Sequence, residues 1–395
     1  MKKLGLLFVD VSPLWERQFT GISNVVYELA KRLVDGHPRF EIQFSVFHRA
    51  IEQQIIEQCI RERSGQALKS LFEDIASLIL AADVASDYDG RSAGLYLHVK
   101  PEKRAFDFEA QLFYDFSFLS APECHHQDTV DYHVANLTNQ VASNDLVFTI
   151  SESTAKDLKY FFGYPESQTQ VALLGYHIES ETVWQFAKII GGVPIEPYFI
   201  CIGTIEPRKN IRLILAWLRE NPWALIKHRF LFVGRDAWGE NFDELIEQAG
   251  LGAAFRAGRI VHVGYVTEAQ KTALLVGARA LLFASLSEGF GLPVLEAMAL
   301  GVPVAASCST SIPEVLGPDG IYFDPYSIQS FDHAMQLLLT EQENGEVNGR
   351  RRKLAQRAQT FSYDRCYNVI LDRLQSSMEA LDKDASPLRR QHRSS

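Results

Sequence analysis

The sequence predicts an α/β protein built from two doubly wound domains. Three observations carry the prediction. Short apolar runs of strand length alternate with helix-period segments along most of the chain. The alternation restarts after a stretch of linker composition, Gly191-Gly-Val-Pro-Ile-Glu-Pro197. Glycines fall just past several of the strand-like runs, on the rim where parallel sheets bind their ligands. With 395 residues the chain has room for roughly two or three domains. The divisions expected are residues 1–190, 191–362, a last helix over 363–382 and a disordered tail over 383–395.

In the first half, Leu4 to Asp10 reads as a buried strand. A signal peptide would need a longer apolar stretch and a small-residue cleavage site. Ile22, Val25, Val26, Leu29 and Leu33 recur at helical spacing, so a helix begins near Gly21. That places Gly21 on the ligand rim, although a plain turn glycine fits the same pattern. Phe40 to Phe47 is strand-like, and Ile51 to Ala82 is helical with a break near Ser64-Gly65. Asp87-Tyr-Asp89 has the form of a metal-binding Asp-x-Asp, but no strand flanks it and a solvated turn explains it better. Leu95 to Val99 reads as a strand, Ala110 to Leu119 is apolar and aromatic with Asp115 inside it, and Asp145 to Ile150 is a strand. Ser151 or Ser153 is placed to cap the helix that follows.

The second half is more strongly marked. Strand Tyr198–Ile202 ends in Gly203-Thr-Ile-Glu-Pro-Arg-Lys-Asn210, with a helix from Ile211. Arg208 and Lys209 are adjacent, so both reach one site only from a loop or a helix start. A guanidinium fork beside an ammonium suits a diphosphate, and a solvated basic pair beside Glu206 is the alternative. Further strands are read at Arg229–Val233 and Ile260–Val263, and Thr267 is placed to cap a helix. The run Arg279–Ala284 then leads into Ser285-Leu-Ser-Glu-Gly-Phe-Gly-Leu-Pro-Val-Leu-Glu-Ala-Met-Ala-Leu-Gly301. Pro293 sits at a first helical position and Gly301 at a stop. A helix N-terminus offers unpaired amides and partial positive charge, which attract phosphate. Glu288 lies in the turn. Glu296 leans back toward it, because helical side chains point to the N-terminus. Two carboxylates beside a phosphate need other partners, and sugar hydroxyls supply them. A surface helix with a solvated Glu is the plainer alternative.

The nine residues Glu288-Gly-Phe-Gly-Leu-Pro-Val-Leu-Glu296 resemble the two-glutamate signature of the family 4 retaining glycosyltransferases, which have the GT-B fold. Thr204-Ile-Glu-Pro-Arg-Lys-Asn210 resembles the same family, in its wording most like the bacterial mannosyltransferases of surface-polysaccharide assembly. The resemblance implies two Rossmann-like domains facing a cleft. The first binds the acceptor, the second binds the nucleotide sugar, and the last helix crosses back to the first. It implies that Arg208 and Lys209 hold the pyrophosphate and that Glu288 lies beside the donor sugar. Glu296 would bind the ribose, while Gly289, Phe290, Gly291 and Leu292 would hold the donor through their amides. Gly21 would approach the donor phosphate and Gly203 would line the donor site, with the base packed near Tyr265 and Val266. Where the family commonly has His-Asp on the acceptor side, this chain has Tyr114-Asp115, and Tyr is a poor proton shuttle near neutral pH.

The expected reaction is therefore retaining transfer of a hexose, first of all from GDP-mannose, to a saccharide or lipid-linked saccharide. A UDP-sugar or a GDP-deoxyhexose is the alternative donor. No cofactor and no metal are expected. The net charge of −10 argues against nucleic acid as a partner. Five scattered cysteines argue for a reducing, cytoplasmic setting rather than a disulfide framework. No run reaches the length of a membrane span, which leaves at most weak peripheral contact with the inner face of a membrane. Two rival classes are a glycoside hydrolase, which also pairs carboxylates but needs no diphosphate cradle, and a non-catalytic sugar-nucleotide binder.

Overall fold

The computed structural model describes residues 3–16, 19, 21–70, 78–101, 103–178, 198–237 and 239–389, with 382–389 as backbone only. The expected linker Gly191–Pro197 and positions 390–395 of the expected tail lie outside the described residues. Two units are distinguished. One comprises Met1–Asp115, Val134–Gly175 and Ser362–Ser395; the other comprises Phe116–His133 and Tyr176–Phe361.

The first unit holds the strands β1 (Gly5–Asp10), β2 (Phe40–Val46), β3 (Arg49–Ala50), β4 (Ser92–Tyr96), β5 (Phe108–Phe113), β6 (Leu146–Thr149) and β7 (Thr169–Val171). Their order in the sheet is β3-β2-β1-β4-β5-β6-β7. Every neighbouring pair is parallel except β2 and β3. Val9 stands opposite both Phe44 and Leu95, so β1 is central and all six of its residues are buried. That burial on both faces explains its unbroken apolar run. β4 starts three residues before the apolar run suggests, because the Asp107 carboxylate accepts from the Ser92 amide and hydroxyl at 2.8 and 3.1 Å. β3 and β7 are too short to leave a periodic signal. The stretch expected as one interrupted helix contains Gln53–Glu62 and Gln66–Ser70, the first of them ended by Arg63 at φ 46°, and a further helix, Ala81–Asp87, begins at its end. Ser151 caps Glu152–Phe162 as expected, its hydroxyl accepting from the Thr154 amide.

The last helix, Tyr363–Arg389, extends beyond the end expected at 382. Cys366, Ile370, Leu371, Leu374 and Met378 form its buried stripe. Asp364 and Glu379 pair with Arg32 and Arg39 at 2.7 and 2.6 Å, which fixes the helix on the first unit.

The second unit has β8 (Tyr198–Ile202), β9 (Arg229–Val233), β10 (Ile260–Gly264), β11 (Ala278–Phe283), β12 (Val304–Ser307) and β13 (Ile321–Phe323), ordered β10-β9-β8-β11-β12-β13. All pairs are parallel. This is the doubly wound Rossmann order, and its switch point lies between β8 and β11. The core on one face gathers Trp217, Phe230, Phe323 and Phe331, all buried. Trp217 meets Phe331 edge-on at 5.5 Å, and its indole N–H donates to Asp332 at 2.8 Å, which satisfies the one polar atom brought inside. Among the described residues no helix is long and apolar enough to cross a membrane.

At the carboxyl end of β1, the first unit buries an acid. Asp10 is 2% exposed. Its Oδ1 accepts from the Ser12 amide at 3.1 Å, and its Oδ2 has no hydrogen-bond partner. Burial raises its carboxyl from 3.8 to about 6, against hydrogen bonds from Ser12, Ser45 and His48 that favour the anion. Because the folded-state value is the higher one, stability falls as the pH rises from about 4 to about 6 and stays lower at neutral pH. Asp10→Asn is therefore expected to remove that decline, so that its stability relative to the wild type rises between pH 4 and pH 7. Urea titrations at pH 4 and pH 7 check this, and an Asn variant whose difference from the wild type is the same at both would contradict it.

Candidate active site

The loops that follow β8 and β11 lie side by side at the switch point, and their residues are stitched together. The Arg208 carbonyl accepts from the Leu286 amide at 2.8 Å. The Asn210 side-chain amide donates to the carbonyls of Ala284 and Pro325, at 3.3 and 2.8 Å. Asn210 ends the short turn Pro207–Lys209 in a left-handed conformation, φ 51°, which suits Asn better than a bulkier residue. The helix Ile211–Glu220 starts from it.

These stitches bring together residues 80 positions apart. Arg208 Nη1 donates to Glu288 Oε2 at 2.9 Å and to the Ser287 carbonyl at 2.8 Å. Arg208 Nη2 reaches Glu206 Oε1 at 2.8 Å. Lys209 Nζ donates to Glu288 Oε1 at 2.5 Å. Its ammonium also stands 5.4 Å from the centre of the Phe283 ring. Both oxygens of Glu288 thus hold a cation, in a setting where its side chain is 10% exposed. Burial alone would push this carboxyl up. Arg208 and then Lys209, with hydrogen bonds from Lys209 and Ser285, outweigh it and hold it at about 2. Burial pulls the Lys209 ammonium down, against Glu288. Gly203 makes room for the lysine stem: a Cβ there would stand 3.0 Å from Lys209 Cε.

The turn after Glu288 is the other half of the site. The amides of Gly289, Phe290, Gly291 and Leu292 find no acceptor among the described residues. Gly291 caps the helix Leu292–Ala299 at φ 95°, and a Cβ on it would meet Ile312 Cδ1 at 2.6 Å, so only glycine fits. Four consecutive unpaired amides leading into a helix start have the donors that an anion would need. Among the described residues no group of three or more His, Cys, Asp or Glu is placed to hold a metal.

Glu296 lies in the middle of that helix. The ammonium of Lys271 sits 2.7 Å from its Oε1 and 2.8 Å from Glu268 Oε2. Glu296 Oε2 is buried without a partner, an acceptor that a donated hydroxyl would satisfy. Burial raises the Glu296 carboxyl, opposed by Lys271 and reinforced by Glu268. The sequence reading missed Lys271, whose signal was a single lysine three residues after Glu268, in the first turns of a helix whose second half is apolar.

The remaining expected positions are spread more widely. Tyr265 is half exposed and Val266 partly buried, just after Gly264 and before the helix Glu268–Gly277. Thr267 caps that helix through a reciprocal box with Gln270, as the sequence predicts. Gly21 starts the helix Gly21–Leu33 in the first unit, where a Cβ would meet open space, so nothing local demands glycine. The Tyr114 hydroxyl donates to the Leu97 carbonyl at 2.9 Å, and burial raises it well above the usual phenol range. It is engaged as a structural donor rather than poised to move a proton. Asp115 follows it and acts on Asp157, whose carboxyl is raised first by burial and then by that charge.

Residues 185–361 match the family described as glycosyl transferases group 1. The O-antigen chain mannosyltransferase B of Escherichia coli is 32% identical over 264 residues, which are 64% of this chain and 66% of that protein. The serotype-specific mannosyltransferase WbdA of Escherichia coli is 27% identical over 207 residues, 50% of this chain and 25% of that one. The chain therefore spans just under two thirds of the first relative and a quarter of the second. Among solved structures, sucrose-phosphate synthase from Thermosynechococcus elongatus aligns with a TM-score of 0.67 at 15% identity, over 95% of this chain and 99% of that one. Anabaena HepE in complex with UDP and glucose gives 0.63 at 16%, over 94% and 99%. At such identity these two speak for the fold alone, the two Rossmann-like units of the GT-B glycosyltransferases. Residues 185–361, which carry the cation pair, both glutamates and the unpaired amides, are a glycosyl transferases group 1 domain.

Proposed function

We propose that this protein is a retaining hexosyltransferase that uses a nucleotide-diphospho-sugar, with GDP-mannose as the first donor to test and a saccharide or lipid-linked saccharide as acceptor. The observation that carries the reading is the meeting of Arg208 and Lys209 on Glu288, followed directly by four unpaired amides, at the switch point of a Rossmann sheet. A diphosphate fits this cradle, and a glycoside hydrolase would have no use for it. Mannose is favoured by the two Escherichia coli mannosyltransferases among the relatives. A UDP-sugar is the second reading, favoured by the fold shared with HepE, whose solved complexes hold UDP and UDP-glucose.

In this reading the bond between the anomeric carbon and the β-phosphate oxygen breaks while the acceptor hydroxyl oxygen attacks from the same face. The acceptor's proton passes to the departing phosphate oxygen. Arg208, Lys209 and the helix start at Leu292 stabilise the charge that develops on the leaving group, the kind of effect that contributes most in such sites. They do so without a metal. Glu288, kept ionised, positions the sugar and stabilises its positive character. Glu296 accepts from the ribose hydroxyls through the oxygen that Lys271 leaves unpaired. Gly203, Tyr265 and Val266 complete the donor site.

Glu288→Ala is expected to abolish transfer, by about 100-fold or more, while nucleotide binding survives. Arg208→Ala is expected to weaken both. Radiolabelled-sugar transfer and calorimetry separate the two effects, and full transfer by either variant would contradict the assignment. A thermal-shift series with GDP-mannose, UDP-glucose and ADP-glucose is expected to show the largest stabilisation with GDP-mannose. A larger shift with UDP-glucose would favour the second reading, and none with any of the three would remove the nucleotide-sugar reading altogether.

A further inference from the structure

The segment that carries Glu288 is held by four hydroxyl residues at and just after the end of β12, Ser307, Ser309, Thr310 and Ser311. The hydroxyls of Ser307 and Ser309 both donate to the Ser285 carbonyl, at 2.6 and 2.9 Å. The Ser311 hydroxyl donates to the Glu288 carbonyl at 2.9 Å. Thr310 does the opposite: its Oγ1 accepts from the Glu288 amide, also at 2.9 Å. Both peptide groups that flank the Glu288 side chain are therefore fixed by adjacent residues of one loop.

Thr310 makes its contact from a conformation that disfavours it. Its φ is +43°, in the left-handed region, where a β-branched residue is a genuine outlier. Such strain persists only where the surroundings enforce it and is concentrated at functional sites. Glycine would adopt this backbone without cost. What glycine lacks is the hydroxyl, and Thr310 is exposed, so no core packing accounts for its side chain. Without that acceptor the Glu288 amide would join the run of unpaired amides over 289–292, and the start of the turn would be free to tilt.

We propose that Thr310 is a positioning residue for Glu288, its strained hydroxyl setting the carboxylate's backbone against the Arg208–Lys209 pair. The proposal rests on the reading of Glu288 as the residue beside the donor sugar. Thr310 touches no reacting atom. It acts by fixing where the Glu288 peptide lies, and a displacement of about 1 Å at such a site costs up to about 100-fold in rate.

Thr310→Gly and Thr310→Ser separate this role from a structural one. Thr310→Gly relieves the strain and removes the hydroxyl, and it is expected to melt at or above the wild-type temperature. It should nevertheless turn over GDP-mannose, or UDP-glucose if that is the donor used, roughly 10- to 100-fold more slowly. Its affinity for GDP or UDP should stay unchanged, and hydrogen exchange in a peptide covering 285–292 should show the Glu288 amide newly unprotected. Thr310→Ser should restore both the rate and the protection. A Thr310→Gly variant with wild-type turnover, with the Glu288 amide still protected, or slowed only in step with a lower melting temperature, overturns the proposal. A wild type that binds neither GDP nor UDP overturns instead the donor-site reading beneath it.

Discussion

Two cations and one carboxylate, on loops that leave neighbouring strands of one parallel sheet, set the terms for the second unit's rim. Arg208 and Lys209 come from the end of β8 and Glu288 from the end of β11. A lone buried carboxylate would take up a proton, and buried cations without a partner would be strongly destabilising. Each group is tolerable there because the others are present. The ion cluster therefore ties the conformation of one loop to that of the other. The backbone stitches from Leu286 to Arg208 and from Asn210 to Ala284 make the geometry reproducible.

The same economy runs through the surroundings. Hydroxyls of the loop after β12 grip the Glu288 turn from one side, and Lys271 grips Glu296 from the other. The amides of residues 289–292 are left over once these internal demands are met. Their number and direction come from the sharp turn at Gly291, which points the start of the helix Leu292–Ala299 toward the rim. In a chain of net charge −10 an anion site must be local, and the one proposed here would be made from backbone dipoles and two side chains rather than from a basic surface.

The first unit repeats the architecture with different chemistry. Its switch point, between β1 and β4, carries the buried Asp10 rather than a cation pair. Tyr114, at the position where the resemblance predicts a histidine, is committed to the Leu97 carbonyl. The buried ion pair of Lys100 and Glu109, 2.5 Å apart, fixes the loop that leads into β5, and Glu109 Oε1 also accepts from the amides of Ala105 and Phe106. Lys100 and Glu109 are thus matched to one another, whereas Asp10 keeps one oxygen unpaired.

The order of strands and helices was legible in the sequence because buried parallel strands must be largely apolar on both faces, and Tyr198–Ile202 and Gly5–Asp10, up to its last residue, are. The same holds for the Gly291 turn and the Thr267 cap, whose residue types are dictated by local backbone geometry. Short edge strands such as Arg49–Ala50 and Ile321–Phe323 left no trace, since two or three residues carry no period. Nor did the pairing of Glu288 with both cations, the gripping of Glu296 by Lys271, or the clamp of Thr310 on the Glu288 amide. Each joins residues far apart in the chain or depends on a dihedral that its residue type disfavours. Local sequence settles which backbone shapes are cheap, and only the folded sheet decides which side chains meet at its rim.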